Sequence, residues 1–257
     1  MKERIDILLV ERRLVESRVK AKWLIKNGYV LVNGSLVKKP SKKIDNSNDI
    51  SLISEYPYVG RGGLKLEEAI KKLSIEVKNK ICADIGASIG GFTDCLLKHG
   101  ALKVYAVDTA IDLLHPSLMC NKEQVVALLG VDARNLSTLN EKVDIIVVDI
   151  TFSSLEDILP KVSKFLKIEG DIIVLVKPIF ETNFYEVSKF KIIKDKKVLR
   201  EILHNLLDWS IKNELFPQAI MKSPILGKGG SVEFFIHFKI NNSYEKQDYS
   251  NLIEKIL

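Results

Sequence analysis

The sequence predicts an α/β protein in which a doubly wound, mostly parallel sheet follows a small α+β domain. First, short and almost wholly apolar segments alternate with helical patterns from residue 80 onward, as in strands buried on both faces. Second, a glycine-containing turn at residues 84–91 joins the first apolar segment to a helical pattern. Third, residues 1–58 carry 12 Lys or Arg and 7 Asp or Glu, so they hold +5 of the net charge of +6. This basic segment is expected to be a separate module that binds a polyanion.

The composition is that of an ordinary globular chain, with 257 residues, 46% hydrophobic and 28% charged. The apolar runs are far shorter than the roughly 18 residues of a membrane helix, and the first residues lack the order of a secretory signal. Cys82, Cys95 and Cys120 show no paired spacing for zinc or for a disulfide framework. We therefore expect a cytoplasmic protein with no metal and no membrane partner.

The basic segment contains a predicted helix over residues 18–26, with Ser17 as its N-cap and Asn27-Gly28 as its stop. A hairpin follows, because two short apolar runs at 29–32 and 35–37 flank Asn33-Gly34. Its basic side chains either contact a polyanion or form a solvated surface. The candidates for contact are Arg18, Lys22, Lys26, Lys38, Lys39, Lys42 and Lys43.

This segment resembles the small RNA-binding domain named after ribosomal protein S-four. The resemblance covers about 55 residues and rests on Ser17-Arg18, Ala21, Ile25, Gly28, Val30, Val32-Asn33-Gly34 and Lys39-Pro40-Ser41. It implies that the basic face binds structured RNA, mainly through the RNA backbone.

The remainder of the chain divides into predicted strands and helices after a linker around residues 55–58. Predicted strands cover 81–85, 103–107, 124–128, 143–148, 171–176 and 231–238, and predicted helices include 92–99, 155–166 and 196–212. Residues 241–257 are expected to form a polar linker with a short helix, to which we assign no function. The expected domains are therefore 1–58, 59–240 and a tail at 241–257.

The turn at 84–91 indicates a nucleotide site, with a plain strand-to-helix turn as the alternative. A dinucleotide site requires glycine where this chain has Ser88, so the turn favours a nucleotide without phosphates, of which S-adenosylmethionine is the commonest. Asp108 is expected to accept from ribose hydroxyls and Asp132 from an adenine amino group, and a cap is the alternative for each. The predicted cofactor residues are Asp84, Gly86, Ala87, Ser88, Gly90, Gly91, Phe92, Asp108 and Asp132.

Charged residues interrupt three of the apolar segments. Lys177 ends one predicted strand and Asp149 another, and a buried lysine requires a carboxylate partner. Glu233 lies among apolar neighbours and requires a cation, which Lys65 could supply. These four residues form either a catalytic set or a structural ion network.

Residues 58–66, 84–94, 149–152, 177–181 and 223–233 resemble the TlyA family, and the match spans nearly the whole chain. That family joins the RNA-binding module to an FtsJ-like methyltransferase of Rossmann-like, class I fold, and its members are often labelled haemolysins. The resemblance implies S-adenosylmethionine as cofactor and ribose 2'-hydroxyls of cytidines in ribosomal RNA or ribosomal subunits as target. It also implies a catalytic tetrad of Lys65, Asp149, Lys177 and Glu233. The chain departs from the family pattern at Ile89, at 109–113, at 129–132 and after Glu181.

The tetrad makes chemical sense for methyl transfer to a hydroxyl. A ribose hydroxyl is a poor nucleophile until its proton is withdrawn, so Lys177 could accept that proton or, as an ammonium, stabilise the developing alkoxide. The sequence leaves these two roles open. It predicts an S-adenosylmethionine-dependent rRNA (cytidine-2'-O)-methyltransferase. The alternatives are a membrane-lytic haemolysin and an RNA-binding protein with a degenerate cofactor site.

Overall fold

The computed structural model describes residues 2–182, 192–241 and 249–257. Its contacts separate the chain into two units, Met1–Pro57 and Tyr58–Leu257. Each unit has its own buried hydrophobic cluster. In the described ranges, none of the helices combines the length and the hydropathy that a membrane span requires.

The first unit is the α+β domain that the sequence predicts. Its helices are α1 (Ile5–Glu11) and α2 (Arg18–Lys26), and its strands are β1 (Lys2–Arg4), β2 (Val30–Val32), β3 (Ser35–Leu36), β4 (Lys43–Asp45) and β5 (Ile50–Leu52). The Ser17 side chain accepts a hydrogen bond from the backbone N–H of Lys20 at 3.3 Å, which confirms the predicted N-cap. Both Asn33 and Gly34 have positive φ, as a two-residue hairpin turn between β2 and β3 requires.

The second unit is built around a seven-stranded sheet whose order is β11-β12-β10-β9-β6-β7-β8. Only β12 runs antiparallel to its neighbours, and the pairs from β10 across to β8 are all parallel. The predicted doubly wound, mostly parallel sheet is therefore confirmed. Its strands are β6 (Ile81–Ile85), β7 (Lys103–Asp108), β8 (Val125–Leu129), β9 (Val143–Val148), β10 (Leu166–Val176), β11 (Phe216–Lys222) and β12 (Phe234–Lys239).

The described helices of this unit cover the sheet. They are α3 (Arg61–Lys72), α4 (Gly91–Lys98), α5 (Pro116–Cys120), α6 (Leu155–Val162), α7 (Lys196–Lys212) and α8 (Tyr249–Ile256). Within the last of these, Ile253 is fully buried in the main core, and the Tyr249 hydroxyl donates to the carbonyl of Pro217 on β11 at 2.9 Å. Helix α8 therefore packs against the sheet, whereas residues 242–248 of the expected linker lie outside the described residues.

The structure adds one strand to the predicted set and moves several element boundaries, including the start of β10 from 171 to Leu166. The edge strand β11 is missing from the predicted set, because Pro217 and Gln218 interrupt its apolar pattern where the register shifts between Pro217 and Ala219. Strand β12 begins at Phe234 rather than 231, and a short 3-10 turn at Ser163–Phe165 replaces the end of the helix predicted to reach 166.

Candidate active site

The carboxyl ends of β6, β9 and β10 meet at one edge of the sheet. Asp149 follows β9 and donates its backbone N–H to the carbonyl of Ile85 at the end of β6, at 2.9 Å. Lys177 follows β10, which is paired in parallel with β9. A cavity of about 690 Å³ opens there and is lined by residues that include all four of Lys65, Asp149, Lys177 and Glu233. Ligands of parallel α/β sheets bind at this edge.

Lys177 and Asp149 form the first of two ion pairs in the cavity wall. The ammonium nitrogen Nζ of Lys177 lies 2.5 Å from Oδ1 of Asp149, and the two side chains are 14% and 23% exposed. Nζ also donates a hydrogen bond of 2.8 Å to the backbone carbonyl of Ile150. This lysine is therefore held by both a carboxylate and the backbone of the same loop.

Lys65 and Glu233 form the second ion pair. Lys65 on α3 places Nζ 2.5 Å from Oε2 of Glu233, which directly precedes β12, and the side chains are only 11% and 4% exposed. Gly227 packs against this carboxylate, because a Cβ atom there would lie 1.9 Å from Oε1 of Glu233. The pairings expected from the sequence are present, while the catalytic roles of the four residues stay predictions.

The turn at 84–91 is anchored by Asp84, which is fully buried. Its Oδ2 accepts from the backbone N–H of Thr93 at 2.9 Å and from the Thr93 hydroxyl at 2.6 Å. Its Oδ1 has no hydrogen-bond partner among the described residues. Burial raises the pKa of Asp84 to about 7, with a contribution from the charge of Asp149, although the bonds from Thr93 oppose the shift. Asp84 thus ties the end of β6 to α4.

Gly86 sets how closely the turn approaches the loop after β9. Its φ is +85°, and a Cβ atom would lie 2.5 Å from the backbone oxygen of Asp149. Only glycine accommodates both the conformation and the contact. The predicted cofactor residues that line the cavity are Gly86, Ala87, Ser88, Gly91 and Phe92.

Asp108 joins its own loop to the 84–91 turn, whereas Asp132 is bonded within its own loop. Asp108 accepts from the backbone N–H of Ser88 at 2.7 Å and of Ala110 at 2.8 Å. Asp132 caps the 3-10 turn Ala133–Asn135 and forms an ion pair of 2.5 Å with Arg134. Neither aspartate is among the residues lining the cavity, nor are Asp84 and Gly90. For Asp132 the structure shows the cap, and the adenine contact stays a prediction.

Two aromatic residues that were not among the predicted site residues, Phe152 and Phe180, also line the cavity. Phe152 is 71% exposed and has a φ of 69°, which is unusual for a bulky residue. Its ring centroid lies 5.7 Å from that of Phe180. Phe152 lies in the segment 149–152 and Phe180 in the segment 177–181. Their closeness in sequence to Asp149 and Lys177 could have identified them as site residues.

The basic candidates of the first unit are all exposed. Arg18, Lys22 and Lys26 lie along α2, and the other four lie between β3 and β4 or at the start of β4. Arg18 is bound at 2.9 Å to Asp6, which is fully buried and also binds Arg4. Burial opposes ionisation of Asp6, yet hydrogen bonds from the two arginines lower its pKa. Contact with RNA stays a prediction.

Comparisons with known proteins match both units. The FtsJ-like methyltransferase family matches residues 58–240, and the S4 domain family matches residues 3–50. Hemolysin A of Brachyspira hyodysenteriae is 39% identical over 92% of this chain and 100% of its own length. The 16S/23S rRNA (cytidine-2'-O)-methyltransferase TlyA of Mycobacterium tuberculosis is 33% identical over 91% of this chain and 88% of its own. A solved structure named "Putative hemolysin from Streptococcus thermophilus" superposes with a TM-score of 0.72 at 30% identity, covering 99% of this chain and 95% of that one.

Proposed function

The chain belongs to the TlyA family, in which an S4 domain precedes an FtsJ-like methyltransferase domain, and from this premise we propose that it methylates ribose 2'-hydroxyls of ribosomal RNA. The observation that carries the proposal is the convergence of the two lysine–carboxylate pairs on one cavity at the carboxyl edge of the sheet. The relatives named (cytidine-2'-O)-methyltransferase support cytidine as the target nucleotide.

S-adenosylmethionine fits the turn and the cavity. A volume of about 690 Å³ is within the range of roughly 300–1,000 Å³ for small-molecule sites. Ser88 replaces the glycine that a pyrophosphate would require, so the turn suits a nucleotide without phosphates. Gly86, Ala87 and Ser88 would hold the cofactor, with Asp108 at the ribose. When bound, S-adenosylmethionine supplies a methyl group already activated by its sulfonium.

Lys177 is the central acid-base group of the proposal. As a neutral amine it would accept the proton of the attacking hydroxyl, and as an ammonium it would stabilise the oxygen while the proton leaves to water. Asp149 and the carbonyl of Ile150 orient Nζ in either role. A turnover rate that rises with pH and then stays level supports the base, and a rate that falls again at alkaline pH supports the stabiliser.

The first unit would dock on the RNA. Its seven exposed basic candidates can pair with phosphates and provide affinity without reading sequence. In this proposal the cavity, and not the first unit, selects the nucleotide that is methylated.

The test uses the full-length protein, labelled S-adenosylmethionine, ribosomal subunits and free rRNA. We expect label to enter rRNA, the new groups to map to ribose 2'-oxygens, and Lys177→Ala to abolish them. Cofactor binding by calorimetry without transfer to any of these RNAs contradicts the proposal. Absence of cofactor binding identifies the degenerate-site alternative, and lysis of protein-free lipid vesicles identifies the haemolysin.

A further inference from the structure

Two loops at the cavity carry the Lys177–Asp149 pair. The loop after β9 runs from Asp149 to Ser154, and the loop after β10 begins at Lys177. The first link between them is Lys177 itself, which contacts the Asp149 carboxylate and donates to the Ile150 carbonyl.

Glu181 makes a second link between the same loops. Its Oε2 accepts from the Ser154 hydroxyl at 2.7 Å, and both of its carboxylate oxygens lie 3.1 Å from the backbone N–H of Leu155. Ser154 is the N-cap of α6 and accepts from the backbone N–H of Glu156. The carboxylate of one loop is therefore part of the helix start that ends the other.

The segment between the two links is strained. Phe152 has a φ of 69°, a conformation that is unfavourable for a bulky residue and persists only when the surroundings hold it. The two links bracket this residue in the chain, since Ile150 and Ser154 lie on either side of it.

Glu181 keeps this position at an electrostatic cost. Burial raises its pKa to about 7, the bonds from Ser154 and Leu155 oppose that shift, and the charges of Glu156 and Asp157 add to it. Burial disfavours the ionised carboxylate, so its hydrogen bonds must compensate. Here those hydrogen bonds come from Ser154 and Leu155 at the start of α6.

We propose that Glu181 is a positioning residue, which holds the loop of Asp149 against the loop of Lys177 and so sets the geometry of the lysine that acts on the hydroxyl. The proposal rests on the proposed methyl transfer. Glu181 is expected to touch neither cofactor nor substrate, so its loss should lower turnover and leave cofactor affinity intact.

Three variants test whether the length of the Glu181 side chain or its charge holds the two loops together. Glu181→Gln keeps the reach, and because Oε2 already receives both donors, one amide oxygen can do the same. Glu181→Asp keeps the charge but is one methylene too short, and Glu181→Ala loses both. We expect Asp and Ala to lower kcat about 10- to 100-fold. We expect Gln to stay within about threefold of wild type, and the Kd for S-adenosylmethionine to stay unchanged in all three.

Asp144→Ala is the matched control. Asp144 lies at the opposite end of β9 and likewise accepts one backbone N–H, from Ile81 at 2.9 Å, and one side-chain donor, from Lys167 at 2.8 Å. Its loss should lower the melting temperature as Glu181→Ala does and leave kcat unchanged. Equal kcat losses in these two variants would reduce Glu181 to a structural role and overturn the proposal.

Amide hydrogen exchange gives a readout that needs no activity. Glu181→Ala should speed exchange at Leu155 and across residues 150–154, whereas Glu181→Gln and Asp144→Ala should not. Unchanged exchange in Glu181→Ala overturns the proposal even if kcat falls. An inactive wild type contradicts the proposed function, and the exchange data then still decide whether Glu181 holds the loops.

Discussion

The two lysine–carboxylate pairs of the cavity differ in burial and in partners. Lys65 and Glu233 are 11% and 4% exposed and are bonded to each other at 2.5 Å. Lys177 and Asp149 are 14% and 23% exposed, and Lys177 gives its hydrogen bond to a backbone carbonyl rather than to its carboxylate. The first pair is a closed unit suited to fixing α3 against the sheet. The second retains capacity to meet a substrate.

Lys177→Ala should produce the largest effect. If Lys177 acts on the hydroxyl, turnover should fall about 10²- to 10⁴-fold, and this effect should exceed the loss of unfolding free energy from leaving the 23% exposed Asp149 without its ammonium. Methyl transfer to rRNA and urea denaturation measure the two quantities. If the loss of turnover, expressed as a free energy, only equals the loss of unfolding free energy, Lys177 has a structural role. The two ion pairs would then not differ in function.

Glu233→Ala should produce the largest loss of stability. It leaves the buried ammonium of Lys65 without its carboxylate, which typically costs about 3–5 kcal/mol of unfolding free energy. Asp149→Ala should cost less, because water reaches that pair more easily. The double replacement Lys65→Met with Glu233→Leu should recover most of the loss, since paired apolar residues avoid the desolvation of both charges. A larger loss for Asp149→Ala would reverse the comparison.

The partly buried Glu181, on the Lys177 side of the cavity, should make the stability of the protein depend on pH. The pKa of Glu181, on the Lys177 side, is raised by burial from 4.5 to about 7. Between these pH values the native state keeps a proton that the unfolded chain has lost, so stability falls as pH rises, by at most about 3 kcal/mol. Glu181→Gln should flatten that slope in urea titrations from pH 4.5 to 7. The pKa of Asp84 is also about 7, so a smaller slope should remain. An identical slope in wild type and variant would contradict this assignment.

A substitution in the first unit should have the smallest effect and should spare both pairs. Lys42→Ala should weaken binding to structured RNA and lower the salt dependence of log K by about one unit of slope. Binding titrations at several salt concentrations measure it, and kcat at saturating RNA serves as the control. A fall in kcat at saturating RNA would show that Lys42 does more than bind phosphate.

The features that could be predicted from the sequence are those that depend on a local pattern or on a buried charge. Strands 81–85 and 143–148 are found at their predicted bounds, because uninterrupted apolar runs define them. The partners of Lys177 and Glu233 could be inferred because a buried charge next to an apolar strand requires a counter-ion. Strand β11 could not be predicted, because Pro217 interrupts the apolar pattern of this edge strand. The bond from Ser154 to Glu181 could not either, since it joins two loops 27 residues apart with no periodicity between them.

If the 84–91 turn holds S-adenosylmethionine as proposed, the close contact at Gly86 would fix the distance between methyl donor and methyl acceptor. A Cβ atom at Gly86 would lie 2.5 Å from the Asp149 backbone oxygen, so the turn packs directly on the loop whose Asp149 and Ile150 hold Lys177. Nucleophilic displacement at a methyl group tolerates little error in the gap between the two reactants. Under the proposed function the main chain would set that gap, so substitutions of side chains around the cavity would change which RNA enters without changing the distance that the methyl group travels.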